Sequence, residues 1–170
     1  MSKKPKAKAR KATKPSRPRT ALNPATGALK LDDYGTALAP ALTRKAFLAS
    51  PLGKAMRDLI VNEPWHSWQL ADCRINGRTF LLGVFYEGER LDMIQLFLQD
   101  SRYGTSWEDF SPEKEKARHA AHWRWLRSQL GSAGARSSSG NERRFAWGSV
   151  GAYYDPRNEE SSIVVSYGTE

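Results

Sequence analysis

Cysteine is almost absent from this 170-residue chain: Cys73 stands alone, so no disulfide can close within one molecule. A sole thiol inside an apolar alternation fits a reducing compartment and excludes the disulfide-stapled secreted scaffolds. No apolar run approaches the roughly 18 residues needed to cross a bilayer, and the first residues lack the apolar stretch of a secretory signal. The expectation is a soluble, cytoplasmic protein with no membrane partner. Acid is missing from the first 20 residues, MSKKPKAKARKATKPSRPRT, which hold six Lys and three Arg. The remainder carries 27 minus 9, or 18, bases against all 18 acids, so the net charge of +9 belongs wholly to the leader. A basic binding face on the folded body is therefore not implied by charge.

The motifs of several reaction classes are missing too. Neither G-x-x-x-x-G-K-[ST] nor G-x-G-x-x-G occurs, which removes the common phosphate-cradling loops. Ser149 lies in W-G-S-V-G and lacks the first glycine of a nucleophile elbow. His119 and His122 are one helical turn apart, but a metal needs further ligands, and His66, Cys73 or a carboxylate stand at no diagnostic spacing. No catalytic residue, metal or cofactor is assigned.

What is present is an alternation of apolar residues around short turns. Asn76-Gly77 fits a two-residue type I′ turn, which needs positive φ at both central positions. With a second reversal at Glu87-Gly88, it predicts a meander of Trp68 to Ile75, Arg78 to Tyr86 and Arg90 to Leu98. Pairing outward sets Cys73 against Phe80, Ala71 against Leu82 and Gln69 against Val84, so Cys73, Phe80, Leu82, Val84, Leu91 and Met93 share one face. Leu81, Phe85, Ile94 and Leu96 then share the other, which also needs partial cover. Later strands are predicted at Phe145 to Tyr154 and Ser162 to Tyr167, with Gly148 and Gly151 marking a bulge or close packing.

Thr43 caps a short predicted helix through Ala49, and Ser50-Pro51 starts a second that runs to about Ile60. Glu63-Pro64 ends it. The strongest helix signal follows Ser111, with Pro112 at the first position, Glu113 and Glu115 near the positive dipole end and Gly131 at the C-terminus. At 100° per residue, His119, Trp123, Leu126 and Leu130 form its buried stripe, and Trp125 points away. The expected fold is α+β: an antiparallel sheet of about five strands against one long helix and a short N-terminal helical pair. Residues 1–20 form a disordered basic tail, 21–42 an extended linker or edge segment, and 43–170 a single domain.

Six tryptophans are many for a domain of this size. Trp, Tyr and Arg anchor protein interfaces, and Arg102, Tyr103 and Trp107 share one loop. Together with Trp65, Trp68 and Trp125 they are the candidate partner-binding residues. The alternative for the loop aromatics is a lid over the core edge. The tail cations Lys3, Lys4, Lys6, Lys8, Arg10, Lys11, Lys14, Arg17 and Arg19 are the candidate contacts to nucleic acid, through nonspecific phosphate neutralisation.

The order S-W-E-D-F-S (106–111), H-W-R-W-L (122–126), F-A-W-G-S-V (145–150), Y-Y-D (153–155) and I-V-V-S-Y (163–167) resembles small bacterial α+β proteins of immunity-protein build. The resemblance spans roughly Thr43 to Tyr167. It implies a partner protein, a toxin to be neutralised, and carries no active-site residues across. The leading expectation is a non-enzymatic protein-interaction domain; a nucleic-acid-associated protein and an enzyme of unassigned chemistry are the alternatives.

Overall fold

The computed structural model describes residues 20–104 and 106–168. One eight-stranded sheet organises it, built from β1 (Arg57–Asn62), β2 (Trp65–Ile75), β3 (Arg78–Glu87), β4 (Arg90–Leu98), β5 (Ala135–Arg136), β6 (Glu142–Phe145), β7 (Gly148–Asp155) and β8 (Glu160–Ser166). The spatial order is β1-β2-β3-β4-β8-β7-β6-β5 and every pairing is antiparallel. Two four-strand meanders thus meet at β4 and β8. The α+β class and the antiparallel sheet are as expected, but the sheet has eight strands and not about five.

Three local events account for the difference. Thr43 caps α1 (Arg44–Ala49) through its hydroxyl to Ala46 N, and Ser50 caps α2 (Pro51–Ala55) through Gly53 N. The second helix stops there instead of reaching Ile60, because Met56 turns extended and Arg57–Asn62 pairs along β2. The β-branched Ile60 and Val61 suit that outcome. Gly53 is needed where it is: a Cβ there would overlap the Phe47 carbonyl. The strand expected over Phe145 to Tyr154 is a hairpin, since Ala146-Trp147 turn the chain and Phe145 pairs with Gly148. The two-residue β5 carries no periodic signal at all.

Registers in the first meander also differ from the simple count. Cys73 faces Phe80 as expected, but a shift between Leu70 and Cys73, with Asp72 at φ 54°, makes Leu70 face Leu82 and Trp68 face Val84. A second shift in β4 sets Leu91 opposite Tyr86 and Met93 opposite Phe85. Each bulge reverses side-chain parity beyond it. Trp68, Ile94 and Leu96 therefore join the buried face with Phe80, Leu82, Val84 and Leu91, and Met93 moves to the outward one.

That buried face is covered by α3 (Pro112–Leu130), by the α1–α2 pair and by residues 21–42. The last of these, the segment expected as linker or edge, puts Leu22, Leu29 and Leu38 into the core through two isolated bridges. Gln129 accepts from Ala21 N at 2.7 Å, and Tyr167 donates to Gly27 O at 2.7 Å. Phe47 lies 5.3 Å from Trp68 and 5.4 Å from Tyr86, anchoring α1. On α3 the expected stripe is rotated. Leu126 and Leu130 are buried, but so are Glu115, His122, Trp125 and Gln129, while His119 and Trp123 are only half-buried. Trp125 does not point away: it meets Phe80 edge-on at 5.1 Å. Polar residues lie on the stripe because the sheet and loop backbones opposite supply their partners.

Candidate binding cavity beneath Trp107

The chain leaves β4 by a loop that closes over the end of the sheet. Gln99 N donates to Thr79 O at 2.9 Å, and Asp100 then caps a 3-10 turn at Ser101–Tyr103. Arg102 grips the same carboxylate with Nε at 2.9 Å and Nη2 at 2.6 Å. These bonds with Arg102 hold the Asp100 carboxyl well down, at about 2. Tyr103 is buried, with the Arg102 guanidinium 5.4 Å from its ring centre. A second 3-10 turn, Trp107–Asp109, leads to Ser111, whose hydroxyl caps α3 at Lys114 N.

Between this loop and the sheet lies a cavity of about 390 Å³, with Leu81, Phe97, Tyr103, Trp107 and Phe110 among its walls. Leu81 and Phe97 face each other across β3 and β4 on the outward side. Trp107 is 91 % exposed, and its ring centre lies 6.3 Å from that of Phe110. The indole is presented to solvent and not folded down as a lid. Arg118 contributes to the wall and reaches the carbonyls of Tyr103 and Gly104, so α3 fixes the loop from below.

Glu115, Ser161 and His122 form a buried polar cluster and invite a catalytic reading, which their hydrogen bonds refuse. Glu115 Oε1 accepts from Ser161 N at 2.7 Å and Ser161 Oγ at 2.8 Å, and its other oxygen takes Arg118 Nη1 at 2.7 Å. Leu98 N–H donates to His122 Nε2 at 3.0 Å, so that nitrogen is the acceptor and the proton resides on Nδ1, 3.5 Å from Ser161 Oγ. A base that activates serine needs a free lone pair on the nitrogen facing it. Here that nitrogen already carries hydrogen, and burial drives the imidazole's pKa down to about 3. All three groups are buried. The cluster seals α3 to β8 and β4.

His119, half-buried, lies 3.2 Å from Ala152 O through Nε2. Among the described residues no group of three or more His, Cys, Asp or Glu is placed to hold a metal. Cys73 is buried, and desolvation raises its thiol to about 12.

The six candidate partner residues do not converge. Tyr103 and Trp107 share the cavity, with Arg102 adjacent on the loop. Trp65 and Trp68 lie on β2 at the far side of the first meander, Trp65 half-exposed and Trp68 buried beside His66 at 6.0 Å. Trp125 is core. The nine tail cations lie outside the described residues. Sequence reasoning missed Phe110 and Phe97 as walls; the signal was the demand for cover over the face that holds Leu81. No protein-family model, curated protein or solved structure matches this chain.

Proposed function

We propose that this chain is a non-enzymatic protein-interaction domain that docks a partner protein at Trp107 and the cavity behind it. One observation carries the reading: an indole nine-tenths exposed stands beside a preformed hollow, aromatic and aliphatic at Leu81, Phe97 and Phe110 and charged at Arg118, Glu159 and Glu160, instead of filling it. Burying a tryptophan removes roughly 150–250 Å² from water, worth about 4–6 kcal/mol before ordering costs at about 25 cal/mol per Å². Residues of this kind dominate interface energetics when enclosed by a partner. The motif order that resembles immunity-protein builds makes a toxin the class of partner. A cytoplasmic setting accords with this reading and with the lone, buried thiol. No helix among the described residues is long and apolar enough to cross a membrane.

The test compares wild type with Trp107→Ala for capture from the native host, followed by titration of each captured protein. At least one partner should lose about 30-fold or more in affinity, the range of an interface hot spot. If every partner of the wild type binds Trp107→Ala equally well, the reading is wrong.

A second reading rests on the leader, where nine cations and no acid precede a formally neutral body. Nucleic acid bound there should show affinity falling with salt at about 0.9 log units per phosphate contacted. Deleting residues 1–20 should abolish that binding; retention of full affinity would exclude the leader as its source.

A further inference from the structure

The two rims of the sheet are unlike. One is β5, two residues long and ending in Arg136, short and charged in the way that protects a sheet from pairing with strangers. The other is β1, six residues long, exposed at every position, with Leu59, Ile60 and Val61 exposed to 45 %, 50 % and 68 % in succession. As the terminal strand it has a row of outward N–H and C=O groups with no strand opposite among the described residues. Its protective devices, the charges of Arg57 and Asp58 and the register shift between Asp58 and Ile60, are confined to its first half and leave Ile60 and Val61 open.

β1 also complements itself. If a second β1 runs antiparallel to the first with Ile60 facing Ile60, then Leu59 lies against Val61 and, carried past the shift at Leu59, Asp58 falls near Asn62 and Arg57 near Glu63. The apolar residues meet in the middle, and an opposite-charge pair closes each end. A slip of one residue sets Asp58 against Val61 or against Glu63. A slip of two sets Asp58 against Ile60, or Leu59 against Glu63. Only the Ile60-centred register avoids both charge burial and like-charge contact. Glu63 is available for it, since its side chain remains 71 % exposed despite ion pairs with Arg44 and His66.

We propose that two copies of this chain associate through β1, antiparallel and centred on Ile60, so that their sheets join into one. Leu48 and Trp65, both exposed, flank the strand and widen the apolar patch: Leu48 shares a groove with Val61, and Trp65 pairs with Asn62. A contact of one strand and two flanking side chains belongs to the small end of interfaces. A dimer in the micromolar range follows, favoured at high protein concentration. β2 and β3 separate this rim from β4 and the Trp107 loop, so the association is distinct from the proposed docking site.

Sedimentation of the full chain across a concentration series should give a monomer–dimer equilibrium. Ile60→Lys should shift it at least tenfold toward monomer and leave circular dichroism unchanged, because Ile60 is half-exposed. Trp107→Ala should leave the equilibrium as it is. The register is read by oxidation of single-cysteine variants, with buried Cys73 as the silent background. Facing positions in antiparallel strands have Cα atoms about 4.5–5.5 Å apart, within disulfide reach. Ile60→Cys should therefore cross-link to its own copy. Asp58→Cys should not, since four residues at about 3.4 Å each would put it roughly 13 Å from its counterpart. A wild-type monomer throughout the micromolar range would overturn the proposal. So would a dimer indifferent to Ile60→Lys, a dimer abolished by Trp107→Ala, or cross-linking of Asp58→Cys as efficient as that of Ile60→Cys.

Discussion

Leu98 and His122 are joined by a 3.0 Å bond from the backbone amide at the end of β4 to Nε2 of the imidazole in the middle of α3. The bond needs the ring neutral, since an imidazolium has no lone pair to offer. Burial is the first cause of its low pKa, and the positive Arg118 and neighbouring His119 act in the same direction.

Stability should therefore depend on pH below the ordinary histidine range. In the unfolded chain His122 titrates near 6.5; in the fold its pKa is about 3. Between these values the unfolded state binds the extra proton, so stability is full above pH 6.5 and declines as pH falls toward 3. Urea melts between pH 7 and pH 5, above the carboxylate range, should show that decline, and His122→Gln should flatten it. An equal slope in both proteins would mean that another group is responsible.

Glu115→Ala should be among the most damaging single changes. It strips Ser161 N–H and Arg118 of a buried acceptor, and breaking a buried pair by removing one partner costs about 3–5 kcal/mol. Glu115→Gln keeps an oxygen for Ser161 and should lose less. Equal loss from the two, by chemical denaturation, would make the charge on Glu115 the dominant factor and not the acceptor geometry.

Gly148→Ala and Gly77→Ala separate steric from conformational cost. Both glycines have positive φ, 141° and 74°. A Cβ at Gly77 meets nothing within 4 Å, so only the left-handed backbone is penalised, by roughly 1–2 kcal/mol. A Cβ at Gly148 would overlap the Ser166 carbonyl on the adjacent strand. Gly148→Ala should lose at least about 2 kcal/mol more than Gly77→Ala in equilibrium melts, through the core and backbone clash.

Trp107→Ala should leave stability within about 0.5 kcal/mol of wild type, as expected for an exposed position. A loss of several kcal/mol in a urea titration would mean that the indole serves the fold as a lid after all.

Features written in backbone chemistry were legible in the sequence. Asn76-Gly77 turns with φ of 48° and 74°, as only such a dipeptide does readily, and Thr43, Ser50 and Ser111 cap the helices they precede. What escaped was set by partners far away in the chain. Arg57–Asn62 follows a helix without a break in composition, and its pairing along β2, with Ile60 and Val61 only permitting it, makes it a strand. The bulges near Asp72 and Asp92 leave no mark in hydropathy, yet each turns a face over, which is why simple alternation puts Ile94 and Leu96 on the outer side and Met93 on the inner one. Apolar periodicity points Trp125 outward because the buried face of α3 also holds the polar Glu115, His122 and Gln129, which rotate the stripe. Of the candidate site, the Tyr103–Trp107 loop was visible as aromatic excess. The cavity was not, because it depends on where Leu81, Phe97 and Phe110 meet.

The seam between the meanders rests on four facing pairs, Met93 with Ser166 through Leu96 with Ile163. During synthesis β4 leaves the ribosome long before β8, which starts 62 positions after Leu98. At about 5–20 residues per second the delay is roughly 3–12 s. For that interval the nascent half-sheet carries β4 as an open edge, with Met93 to Leu96 awaiting a strand that has not yet been made.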